Sequence, residues 1–257
     1  MDRRRYFISL TFRLALIVLA LLVSVCALVI GPGGVRDWFL AIVLGFSAAV
    51  LQIRPLVVPR KTNETALYSL GPAFFLAGLF LLPPGPLVAT VAFAIALSGI
   101  VTGVRPHKLL FNLSLSLLTY GAFNLLLRLG PRGGDAPVPS LQMIGAESLL
   151  CAAVLAAQLL VRSIAIRLER GDKAPHWGAF QRTVFLESAY CIALSVLISV
   201  LARIHVALLV FAYAHIALTW TFVERYRRHV RVLTTAAAAT ATAGLGGGRK
   251  KNQRRVA

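Results

Sequence analysis

ALYSLGPAFFLAGLFLLPPGPLVATVAFAIAL, residues 66–97, holds two apolar runs parted by one Leu-Pro-Pro-Gly-Pro gap. Proline removes a backbone donor and glycine tolerates positive φ, so the gap marks a place where helices end rather than cross lipid. A connection this short makes the two runs a helical hairpin. Working outward, apolar runs long enough, or nearly so, to cross about 30 Å of hydrocarbon recur about eight times. They lie near 9–30, 38–53, 67–82, 86–104, 109–127, 141–161, 183–202 and 205–223. The second and third are short, so six to eight crossings are expected. Between the runs stand GPGG at 31–34, RPHK at 105–108 and GPRGGDAPVP at 130–139, all turn chemistry.

Composition agrees with an all-α, polytopic transmembrane bundle. The 257 residues are 58% hydrophobic and 14% charged, whereas soluble domains carry about 25% charged residues. A net charge of +18 invites a nucleic-acid reading, but the basic residues sit in short gaps and in the tail rather than on a soluble basic face. Charge here reads as topology. With the N-terminus inside and eight crossings, 23 of the 27 Lys and Arg fall on the cytoplasmic side, leaving Arg36, Arg128, Arg132 and Arg203 outside. Both termini are therefore expected in the cytoplasm, with the protein in the inner (plasma) membrane. The first run lacks an A-x-A site and is read as an uncleaved helix. A membrane domain over 1–235 is followed by an Ala/Thr/Gly-rich and basic tail over 236–257, read as disordered.

Ionisable groups inside apolar runs cost about 2.5–3.5 kcal/mol on insertion scales, so each needs a reason. Three stand out: Glu147, Glu187 and His215. Glu187 and His215 lie about 7 and 12 Å from the cytoplasmic ends of their runs at 1.5 Å per residue, depths that bring neighbouring helices' side chains together. They are candidates for ligand binding or proton sensing, set against a plain interhelical hydrogen bond. Glu147, about 10 Å from the outer face, would line an outward cavity or bond a neighbouring helix. Gln52, Asn112, Asn124, Gln158, Tyr120, Tyr190 and Tyr213 read as the polar contacts that hold membrane helices together. Asn112 and Asn124 fall about 120° apart on one helix and need not share a face.

Cys26, Cys151 and Cys191 sit in apolar runs without metal spacing and read as buried thiols. No HExxH, GxSxG or Walker A motif occurs, and the five histidines are scattered. The expectation is a chain without catalysis, metal or cofactor of its own. GGDAP at 133–137 shares only its first three letters with the diguanylate cyclase signature.

DWFLAIVLGFSAAVLQIRPLVVPR, then the hairpin segment, then HKLLFNLSLSLLTYGAFNLLLRLG, and finally TFVERYRRHVRVLTT, follow one another between about residues 37 and 235. In that order they resemble the multi-helix membrane sensor region that precedes GGDEF or HD-GYP domains in bacterial signalling proteins. The resemblance implies a last helix that continues into the cytoplasm and passes motion to an output domain; no such domain follows here. It therefore implies a sensory module, non-catalytic by itself, acting on a separate cytoplasmic effector. Phe222, Tyr226, Val230, Leu233 and Ala237 form a helical stripe suited to homodimerisation. Arg225, Arg227, Arg228 and Arg231 lie off that stripe, facing anionic headgroups of the bilayer. The alternative is a small-molecule or ion transport component, for which a polar cavity reaching the membrane midplane is the discriminating feature.

Overall fold

A computed structural model describes residues 3–61, 64–129, 140–170, 177–226 and 228–229. The fold is an all-α polytopic bundle. Its helices are α1 (Arg3–Ile30), α2 (Val35–Ile53), α3 (Gly71–Leu81), α4 (Pro84–Val101), α5 (Pro106–Leu129), α6 (Leu141–Arg170) and α7 (Trp177–Ile204), with α8 over 209–226 after one turn of 3-10 helix. Among the described residues, seven helices are long and apolar enough to cross a membrane. The eighth, α3, has 11 residues and is only about 16 Å long.

Packing divides the chain into two units, one of Met1–Pro55 with Ser69–Ala212 and one of Leu56–Tyr68 with Tyr213–Ala257. In the first, α2 and α5 both pack on α4, α1 packs on α5, and α3 lies against α7 and α2. The expected hairpin is there. Leu82 is extended because a proline follows it, and Pro84 opens α4 at the first helical turn, where its missing N–H costs nothing. Eight of the 11 residues of α3 are buried, as expected of a helix that is apolar all round.

Two turn motifs lock together at one end of this unit. The Gly85 N–H donates to the Gly31 carbonyl at 2.9 Å, and a Cβ on Gly85 would lie 2.7 Å from that same oxygen. Gly33 adopts φ +73°, a left-handed conformation that other residues rarely take. The Asp37 carboxylate accepts from the Gly34 N–H at 2.8 Å and the Trp38 indole donates to the Pro32 carbonyl at 2.9 Å, closing the α1–α2 turn. The Thr90 hydroxyl is shared between the Pro86 carbonyl of its own helix at 2.8 Å and the Ala41 carbonyl of α2 at 3.2 Å, which brings α4 against α2.

On α6 and α7 the pairs Glu147–Arg203 and Cys151–Ser195 run in opposite sequence order, so these helices are antiparallel. At the end of α3, fully buried Asn124 donates to the carbonyls of Leu79 and Leu82 at 2.9 and 3.2 Å, and Arg128 adds a bond to Leu82 at 3.0 Å. These side chains satisfy carbonyls that a helix C-terminus leaves without partners. Asn124→Leu is expected to destabilise the protein by about 1–2 kcal/mol, read by unfolding in mixed micelles. An unchanged midpoint would mean that Arg128 alone suffices.

The second unit adds an element that the apolar pattern does not announce. From the sequence, residues 54–66 are expected to be a cytoplasmic loop, whereas β1 (Leu56–Lys61) and β2 (Glu64–Tyr68) pair as an antiparallel hairpin, Leu56 opposite Tyr68 and Lys61 opposite Glu64. β-Branched and aromatic residues favour strands, and the proline sits beside a register irregularity. The third apolar run accordingly shrinks, since its first residues belong to β2. Cys151 and Cys191 are buried as expected, but Cys26 is exposed on the sparsely buried α1. The tail over 236–257, together with Arg227, Val230, Arg231, Leu233 and Ala237, lies outside the described residues.

Candidate functional site

The apolar core of the first unit contains a polar cavity of about 270 Å³. Gln52 at the end of α2, Ser98 near the end of α4, and Asn112, Ser116 and Tyr120 along α5 supply part of its wall. Gln158 and Arg162 of α6 and Glu187 of α7 complete it. The three α5 residues and the two α6 residues recur every fourth position, which stacks them on one helical face. Near α3 the chain enters through Ser69, whose N–H donates to the Glu187 carboxylate at 2.8 Å.

Several lining groups are already committed. Ser98 donates to the Gln52 amide oxygen at 2.7 Å, bracing α4 on α2. The Gln158 amide nitrogen donates to the Thr119 hydroxyl at 2.9 Å, bracing α6 on α5. The Tyr120 hydroxyl, on a side chain 1% exposed, has the Gln158 side chain beside it but not in full hydrogen-bond geometry. A buried hydroxyl in that position costs about 1–3 kcal/mol unless something pairs with it.

The lining runs from exposed to buried residues. Thr102, after α4, and Arg162 are exposed. Phe75 and Tyr120 are buried, their rings meeting edge to face with centroids 5.3 Å apart. Beyond them along α5, Asn124 and Arg128 hold the end of α3. Tyr120 and Gln158 both lie near the middles of their helices. No family model, curated protein or solved structure matches this chain. What the site can do follows from its geometry.

Of Glu147, Glu187 and His215, the three ionisable residues that stand out within the apolar runs, Glu187 alone lines the cavity. Glu147, 5% exposed, is instead paired with Arg203 on α7. His215 is exposed on α8, with its carbonyl accepting from the Thr219 hydroxyl at 2.9 Å. Arg225 is exposed on the same helix and Arg228, past its described end, is exposed beside Glu224 at 3.4 Å, while Phe222 and Tyr226 stand exposed one turn apart. Among the described residues, no three His, Cys, Asp or Glu side chains come together as a metal site would need.

By sequence, Gln52, Asn112, Tyr120 and Gln158 are helix-to-helix contacts and Arg162 is a topology charge. Three of them do brace or abut helices, yet all five share the cavity. The available signal is the fourfold spacing of polar residues on α5 and α6. Asn124, by contrast, serves α3 alone.

Proposed function

We propose that the protein is a multi-pass protein of the cytoplasmic (inner) membrane, with both termini inside, that binds a small polar solute and reports occupancy through α8 to a separate effector. The observation that carries this reading is the cavity with its polar lining. It is small beside the roughly 300–1,000 Å³ usual for ligand sites, and it has convergent polar groups and a buried hydroxyl without a full hydrogen bond. A sensing pocket needs only coupling to an exit helix, and α8 leaves the apolar span with the exposed Arg225, suited to the cytoplasmic headgroups.

A second reading, a transport component, has its own support. The cavity extends to mid-helix on α5 and α6, and its inner wall includes the start of the half-length α3, a layout shared with solute sites at interrupted helices. Both readings require the same pocket, so the pocket is tested first. Ser116→Leu fills the cavity from α5. Small polar solutes that raise the wild-type melting temperature are expected to leave this variant unmoved, a difference of about 2.7 kcal/mol at a hundredfold excess over Kd. Equal shifts in both proteins would remove the cavity from the account. Uptake of the same solute by proteoliposomes would move the assignment to transport, whereas binding without uptake supports sensing.

A further inference from the structure

We infer that the cavity takes a compact amphoteric molecule, one that carries a protonated amine and an acid group. This rests on the solute-binding reading and specifies its ligand. Of the residues that line the cavity, Arg162 and Glu187 are the charged ones, of opposite sign. They share the space without forming an ion pair with each other. The hydrogen bond to Glu187 from the Ser69 N–H occupies one carboxylate oxygen. A carboxylate offers about four acceptor positions, so most of that capacity is unspent.

Arg162 is exposed and acts on Glu187 through space, without a hydrogen bond or ion pair among the described residues, and its guanidinium stays charged. Two opposite charges that face one polar space without meeting leave room for a molecule that meets both. Their sum is zero, so a ligand of net charge would enter a low-dielectric space uncompensated, whereas an amphoteric one brings matching ends. The Tyr120 hydroxyl and the Asn112 amide share the same lining and offer donors and acceptors for a short polar body. The same chemistry is carried by free amino acids and by the phosphoethanolamine headgroup of a bilayer lipid.

The test is equilibrium binding to the full chain in phosphatidylglycerol nanodiscs. Glycine, β-alanine and γ-aminobutyrate form a spacing series, with propylamine, propionate and glycerol as single-charge and uncharged controls. At least one member of the series is expected to bind tighter than every control. Glu187→Gln and Arg162→Gln are each expected to weaken it by about 10- to 100-fold. Because Arg162 is exposed, its variant remains informative if the Glu187 variant yields little protein. Competition by phosphatidylethanolamine added to the discs, lost in Arg162→Gln, supports the inference with the lipid as source. If glycerol binds as well as the series, or if both variants bind like wild type, the amphoteric ligand is overturned while the solute-binding reading stands. If nothing in the panel binds and Ser116→Leu matches wild type against a wider solute set, both fall.

Discussion

Arg203→Met is expected to lower the unfolding free energy by about 3–5 kcal/mol, the cost of leaving one member of a buried ion pair alone. Glu147 is 5% exposed and Arg203 18%, so the lower part of that range applies, because the guanidinium keeps some contact with its surroundings. Arg203 also donates toward the Met143 sulfur at 3.6 Å, so its removal loosens the start of α6 from the end of α7 twice over. The check is unfolding in mixed micelles of the single variant and of Glu147→Leu/Arg203→Met. The double variant is expected to recover most of the loss, since two apolar groups of similar volume need no counter-charge. A single variant within about 0.5 kcal/mol of wild type would show that the pair does not join these helices.

Gly85→Val should be nearly as damaging, for a different reason. The atom in the way of a new Cβ is a backbone oxygen, Gly31 at 2.7 Å, and the Leu28 Cα stands at 3.5 Å. Neither can swing aside as a side chain would. Relief requires that α4 withdraw from the α1–α2 turn, breaking the Gly85–Gly31 hydrogen bond as it goes. Overpacking of this kind costs about 1–3 kcal/mol, and the lost bond adds about 1 kcal/mol. Unfolding midpoints of Gly85→Ala and Gly85→Val should fall in that order. Equal, wild-type-like midpoints would mean that the two turns are not locked.

Most of the scaffold is legible because bilayer-spanning helices announce themselves as long apolar runs, and Pro-Gly clusters show where they stop. The hairpin of α3 and α4 follows from the Pro-Pro-Gly-Pro gap alone. The β1–β2 hairpin does not, since Pro59, Arg60 and Lys61 interrupt any alternation and read as loop. The candidate site is half visible. Glu187 stands out as an acid inside an apolar run, but its neighbours come from five other elements, and only the bundle's packing collects them. Arg162 looks like one more cytoplasmic charge among 27 basic residues. Glu147 and Arg203 are 56 positions apart in sequence, and nothing local to either reveals the other.

The burial of α3 bears on how the protein responds to the membrane around it. A lipid-facing helix shorter than the hydrocarbon layer would draw the leaflets inward, at a cost of fractions of a kcal/mol for each ångström of mismatch. With eight of its 11 residues buried, α3 offers acyl chains little surface to act on. Changes in acyl-chain length therefore act on the tilt of the long outer helices, above all the sparsely buried α1. The Phe75 ring that α3 gives the cavity wall is thereby insulated from the thickness of the bilayer.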